Sequence, residues 1–265
     1  VVRRRVAFAC LALLGVLVGV IAGSRAVSRV FLFPVRKVAV LAPPADVTVR
    51  ALVASDGTPV RVLELPGPTG GRTIVDFHNN RETAESRVEL ARELRALGFG
   101  VVLVEYRGYG SSPGEPTEDG LYADAEAALD MLAARGVPPE RVVLLGTSLG
   151  TGVAAEMARR GRGARLVLVS PYTSIPDLVT NTAPFVPASA LVADHFDTLG
   201  KSGAIRIPTL IIHGDSDEIV PFAMGEQLSR EIPGARLLRV MGGHHGDLFA
   251  REAGRLLTEI VRLGS

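Results

Sequence analysis

Two periodicities alternate along this chain, and the alternation predicts its architecture. Val47 to Val53 is β-branched and partly alternating, and Val60 to Leu65 alternates again after Ser55-Asp56-Gly57-Thr58. This is the signature of a hairpin. Thr73 to Phe77 is a short apolar strand. From Arg81 to Leu97 the period lengthens: Ala84, Val88, Leu90, Ala91, Leu94 and Leu97 share one helical face, and Gly98 ends it. Val101 to Val104 is then continuously apolar, as strands buried on both faces are. The same succession repeats: a helix over Glu118–Arg135, a strand over Val142–Leu145, a helix from Thr151, a strand over Leu166–Val169. A strand at Leu210–Ile212, a helix over Gly225–Glu231, a strand at Leu237–Val240 and a helix over Leu248–Leu263 complete it. A hairpin followed by alternating strands and helices predicts a mostly parallel sheet with helices on both faces. Only Thr173 to Gly203, with Pro176, Pro184 and Pro187, lacks a strong period. It falls over the strand ends and is expected to form a short cap.

The amino terminus is different in kind. Arg3-Arg4-Arg5 precede an uncharged apolar run from Val6 to Gly23. That is about the length of a membrane span, roughly 17–25 residues, and longer than the roughly 7–15 of a signal-peptide core. Residues 1–24 are therefore read as a transmembrane anchor. Removal at Ser24-Arg25-Ala26 as a signal peptide is the runner-up, and a buried core helix comes third. Arginines flank the run on both sides; the cluster abutting its start favours a domain outside the cytoplasm. Residues 25–45 read as a connector and 46–265 as one domain, with 173–203 as its cap.

Composition narrows the chemistry. The net charge of +1 offers no basic footprint for nucleic acid. The single cysteine, Cys10, excludes a disulfide framework and a Cys-rich metal site. Nothing in the chain calls for a cofactor or a metal.

The chemistry lies at Gly146-Thr147-Ser148-Leu149-Gly150, set between the Val142–Leu145 strand and a small-residue helix. Strand, G-x-S-x-G, helix is the setting of a nucleophile elbow, with the serine on a tight turn and glycines where a Cβ would crowd it. A second match, Gly110-Ser111-Ser112-Pro113-Gly114, lacks that setting: Pro113 and Pro116 make a turn, so Ser112 is read as a loop residue. A nucleophilic Ser148 needs an acid and then a histidine downstream, each past a strand. Asp215, Asp217 and Glu218 follow the Leu210–Ile212 strand, and His244 and His245 follow the last one. One oxyanion donor is expected from the Leu149 N–H, the other from the loop His78-Asn79-Asn80.

From about Asp46 onward the chain resembles the α/β-hydrolases, in particular the membrane-tethered ABHD-like serine hydrolases and their bacterial relatives. The resemblance rests on Phe77-His78-Asn79-Asn80, Tyr106 to Ser112, Gly120 to Asp124, the Ser148 elbow, Ser170-Pro171-Tyr172-Thr173-Ser174, His213 to Asp217, and His245-Gly246-Asp247. It implies an α/β-hydrolase fold, with Asp217 as the acid, His245 rather than His244 as the base, and Asn80 and Leu149 as backbone oxyanion donors. It implies a serine hydrolase acting on small or lipid-like acyl substrates, esters or thioesters. An acyltransferase, a peptidase and a non-catalytic binding protein are the alternatives. One departure stands out: the family usually has glycine where this chain has Asn79. If that glycine has positive φ, asparagine is the residue best able to replace it. His78 and His213 read as structural, and His195 has no assigned partner.

Overall fold

The computed structural model describes residues 28–34 and 44–264. An eight-stranded sheet has the order β1-β2-β4-β3-β5-β6-β7-β8. Its strands are β1 (Thr48–Val53), β2 (Pro59–Leu65), β3 (Thr73–Phe77), β4 (Gly100–Glu105), β5 (Val142–Thr147), β6 (Arg165–Val169), β7 (Thr209–Gly214) and β8 (Arg236–Val240). β1 and β2 form the expected antiparallel hairpin, and β2 runs antiparallel to β4. From β4 through β3, β5, β6 and β7 to β8 every pairing is parallel.

The pleat sends alternate residues of each central strand into two cores. Val142 and Leu144 of β5, with Leu166 and Leu168 of β6, enter one core. There they meet Leu121 and Leu129 of α2 (Glu118–Ala134), Val153 and Met157 of α3 (Leu149–Arg159), and Leu228 of α7 (Phe222–Glu231). Val143, Leu145, Val167 and Val169 enter the other, against Ala91 and Leu94 of α1 (Val88–Ala96) and Leu256 and Ile260 of α8 (Leu248–Gly264). This is why these strands read as unbroken apolar runs.

The elements differ from expectation at three places. The helix foreseen from Arg81 begins later, as a 3-10 turn over Ala84–Arg87 that leads into α1. There Arg87 turns inward and forks onto both oxygens of Asp76 at 2.9 and 2.8 Å, a buried ion pair beside β3. The 173–203 segment holds three short helices: α4 (Ile175–Thr182), α5 (Ala188–Leu191) and α6 (Thr198–Ser202). Ser174 caps α4 by accepting from the Asp177 N–H, and Pro176 sits in the first turn, where a missing N–H costs nothing. The final helix bends at Glu252, whose backbone leaves the helical region.

Residues 28–32, within the span read as connector, form one helical turn that packs on the domain. The anchor read at residues 1–24 lies outside the described residues. Among the described residues no helix is long and apolar enough to cross a membrane.

Candidate active site

A parallel sheet delivers all its strand ends to one edge, where ligand sites of open α/β sheets form. The loops after β3, β5, β7 and β8 converge there. Ser148 follows β5 directly and sits at φ 50°, ψ −115°, a conformation that costs energy for any residue with a Cβ. The turn is held by Ser148 N–H donating to the Val169 carbonyl at 2.9 Å and by the Thr151 N–H and hydroxyl donating to the Ser148 carbonyl. The motif's glycines are required by contact. A Cβ on Gly150 would overlap the Phe77 carbonyl, and one on Gly146 would overlap the Gly150 carbonyl.

The β7 and β8 loops bring the other two candidates to this serine. Ser148 Oγ lies 2.9 Å from His245 Nε2, and His245 Nδ1 lies 2.9 Å from Asp217 Oδ2. Asp217 Oδ1 accepts the Ile219 and Val220 N–H groups at 3.0 and 2.8 Å, which fixes the carboxylate. Burial of Asp217 pushes its carboxyl up. The His213, His245 and Val220 donors outweigh burial and hold it well below the usual carboxylate range. It is therefore ionised at neutral pH, where a carboxylate facing Nδ1–H leaves Nε2 free to accept a proton.

The competing candidates have other partners. Asp215 accepts the Gly242 N–H at 2.6 Å and Arg239 Nε at 2.8 Å, tying the β7 loop to the β8 loop. His244 faces Glu218 at 3.1 Å on the exposed side. Ser112 lies in the loop after β4, buried and away from this chain of contacts. His213 is wholly buried and its Nε2 reaches the Val220 carbonyl at 3.0 Å, so it props the loop that carries Asp217. His195, unassigned in the sequence, bonds the Val192 carbonyl through Nε2, and its backbone N–H donates to Glu118.

Asn80 and Leu149 line the same cavity as Ser148 and His245, about 320 Å³ in volume. Tyrosine hydroxyls and one imidazole pin the 78–80 loop at all three carbonyls. Tyr106 donates to His78 O at 3.2 Å, His78 Nδ1 to Asn79 O at 2.7 Å, and Tyr109 to Asn80 O at 3.2 Å. His78 is itself sandwiched against Tyr106 and Tyr109, with ring centroids at 4.2 and 5.3 Å. Asn79 is not among the described residues with positive φ, so it needs no left-handed tolerance.

Two features escaped the sequence. Leu32 lines the cavity, and its carbonyl accepts Asn80 Nδ2 at 3.0 Å. Tyr172, buried after β6, lines the cavity and donates to the Leu149 carbonyl at 3.2 Å. The first has no local signal, because its partner is 48 positions away. The second has a signal only as one residue of the Ser170-Pro171-Tyr172-Thr173-Ser174 motif.

A family model described as serine aminopeptidase, S33, matches residues 71–201. The uncharacterized protein Rv2307c of Mycobacterium tuberculosis is 35% identical over 211 residues, covering 78% of this chain and 75% of that protein. The chain belongs to the α/β-hydrolase superfamily. It is also similar to the alpha/beta hydrolase domain-containing protein aho-3 of Caenorhabditis elegans, at 34% identity over 191 residues, 69% of this chain and 55% of that one. An esterase from Rhodococcus sp. ECU1013 shares the fold with a TM-score of 0.66 at 21% identity, over 82% of this chain and 98% of that one. Family and fold support a hydrolase.

Proposed function

We propose that this α/β-hydrolase cleaves carboxylic ester or thioester bonds through an acyl-enzyme on Ser148. The observation that carries the reading is the unbroken chain from Ser148 Oγ to His245 at 2.9 Å and from His245 to Asp217 at 2.9 Å. His245 Nε2 removes the Ser148 proton as Oγ attacks the substrate carbonyl carbon. The carbonyl electron pair moves onto oxygen, and the Asn80 and Leu149 N–H groups receive that oxyanion. The start of α3 adds its dipole at the same point. As the oxyanion collapses, the C–O or C–S bond to the leaving group breaks. His245 passes its proton to the departing alcohol or thiol. Water then enters, gives a proton to His245, and releases the acid by the reverse steps. Asp217 keeps the imidazole in the required tautomer and stabilises its cation.

Part of the cavity lining suits an acyl group: Leu32, Tyr172, Ile175, Leu178 and Val220 share it with Ser148, while Arg81 and Glu218 supply its charged part. With residues 1–24 as a membrane anchor, the domain would meet lipid-like esters outside the cytoplasm. The aminopeptidase description of the matched family favours one second reading, hydrolysis of an aminoacyl amide by the same residues.

The test is labelling with a fluorophosphonate probe. Wild type and Ser112→Ala are expected to label, and Ser148→Ala is not. On a short p-nitrophenyl ester, His245→Ala is expected to lose about a thousandfold or more in kcat; His244→Ala keeps most of it. Labelling of Ser148→Ala, or the reverse order of the histidines, rejects the assignment. Faster turnover of aminoacyl anilides than of esters selects the second reading.

A further inference from the structure

The cavity at Ser148 does not end at the catalytic residues. Leu32, Asn80, Ile175 and Leu178 also line a second cavity of about 450 Å³, whose other walls are Ser28, Phe31, Val179, Val186, Leu191 and Val192. The two form one trough leading away from the serine, between residues 28–32 and the cap helices α4 and α5. Past the shared residues its side chains are apolar apart from Ser28.

Its outer wall is fastened, not draped. Arg29 Nε donates to Asp194 Oδ2 at 2.7 Å, and Asp194 is itself buried and accepts the Glu118 N–H at 2.8 Å. Phe33, buried, packs edge-on against Phe196 at 6.3 Å. The Asn80 side chain holds the Leu32 carbonyl. Residues 28–33 therefore strap the cap to the loop that carries the proposed oxyanion donor. Among the described residues, the walls of this trough favour an apolar occupant over water.

We infer that this trough is the binding site for an unbranched acyl chain of roughly eight carbons or more, with residues 28–33 as one wall. The inference rests on the acyl-hydrolase reading above and deepens it. The scissile carbonyl sits at Ser148 with its oxygen toward Asn80 and Leu149. The chain passes between Leu32 and Leu178 and ends among Phe31, Val179 and Leu191. Continuity with the reaction cavity is what selects an acyl chain over other apolar occupants. Only a group attached to the reacting carbonyl needs both spaces at once.

The experiment measures kcat/KM for p-nitrophenyl acetate, butyrate, octanoate and dodecanoate on the full chain. Each methylene that enters the trough is expected to raise kcat/KM about fourfold until the space is filled. Val179→Trp and Leu191→Trp, at half-buried positions, fill the trough and should lower the octanoate-to-acetate ratio about tenfold or more. Competition by free dodecanoate in wild type gives a readout that needs no variant. Inhibition that rises with fatty-acid chain length supports the site. A flat chain-length profile in wild type overturns it, as does an unchanged ratio in both Trp variants. If those variants instead dissociate a self-associated protein and leave the ratio alone, the trough is a face between copies and the inference fails. If no ester is turned over at any length, the acyl-hydrolase reading fails separately. Binding of a fluorescent fatty acid then decides the trough, where binding lost in Val179→Trp supports it and absence of binding overturns it.

Discussion

Replacing Asp217 by asparagine changes one oxygen into an amide nitrogen, and the structure dictates which one. Oδ1 accepts from the Ile219 and Val220 N–H groups at 3.0 and 2.8 Å, whereas Oδ2 faces His245 Nδ1 at 2.9 Å and lies 3.3 Å from His213 Nε2, a weaker contact because that nitrogen also reaches the Val220 carbonyl at 3.0 Å. If the asparagine turned its NH2 toward the two backbone donors, two N–H groups would oppose it. Each unmet contact would cost about 1–3 kcal/mol. The amide oxygen therefore stays on the backbone and the NH2 meets Nδ1. A donor facing Nδ1 forces the imidazole to carry its proton on Nε2. That nitrogen then donates toward Ser148 and no longer takes a proton from it. The loss expected for a histidine held in the wrong tautomer is about 10³–10⁴ in kcat, or about 4–5.5 kcal/mol in barrier height.

The loss should be confined to chemistry. The backbone bonds of the loop survive, so the midpoint of thermal unfolding at neutral pH should fall far less than for Asp217→Ala. KM for a short ester should stay within about threefold, since the ground state does not use the tautomer. Stopped-flow or steady-state hydrolysis of p-nitrophenyl acetate measures both constants. A kcat within about tenfold of wild type would show that the 2.9 Å contact to Asp217 does not set the tautomer, and the proposed mechanism would fall with it.

Three further outcomes follow from other contacts. Tyr109→Phe removes the hydroxyl that holds the Asn80 carbonyl; kcat for a short ester should fall about three- to tenfold with KM nearly unchanged, and a KM effect alone would contradict a role in holding the proposed oxyanion loop. Gly150→Ala sets a Cβ against the Phe77 carbonyl, a backbone atom that has no room to move; chemical denaturation should show a loss of at least about 3 kcal/mol or no folded protein, and a wild-type midpoint would refute the close approach. Burial pushes Glu156 up, but Arg159, Arg160 and Lys201 outweigh it and hold its carboxyl at about 2, against an ordinary 4.5. Its contribution is thus fully present above pH 4.5 and is lost as pH falls toward 2. Glu156→Gln should cost about 2 kcal/mol at pH 7, discounted for its half-exposed arginine partners, and should flatten the acid limb of the stability curve; an unchanged acid limb refutes the assignment.

The strands and the order of the site were legible because both are written in local pattern. β4, β5 and β7 are buried along their whole length, and an element wet on neither face must be apolar throughout. Topology then fixes which loops share an edge, so the loops of Ser148, Asp217 and His245 could be paired before any distance was known. Between adjacent histidines, by contrast, the residues alone gave no choice; only the family resemblance favoured His245. The cap helices were illegible because four to eight residues carry too few turns to show a period. Pro176, one of three prolines in that aperiodic stretch, is a first-turn residue of α4. The Asp76–Arg87 pair was illegible for another reason. An arginine on a helix is expected in water, and only the fold puts a buried carboxylate within its reach.

The loop carrying Asn80 shows how one function can be met by different means. A glycine before the proposed donor suggests that the backbone's own freedom shapes the loop. Here Asn79 keeps an ordinary backbone conformation, and the three carbonyls of residues 78–80 are each held by a side-chain donor. Two of those donors, Tyr106 and Tyr109, come from the loop after β4, the neighbour of β3 in the sheet. The loop geometry is thus imposed from outside it, by rings packed on His78. Asn80 is further bound through its side chain to Leu32. Motion of residues 28–33 would therefore act on the trough and on the proposed oxyanion donor together. A substrate chain that presses on that wall reaches the reacting centre through a single hydrogen bond.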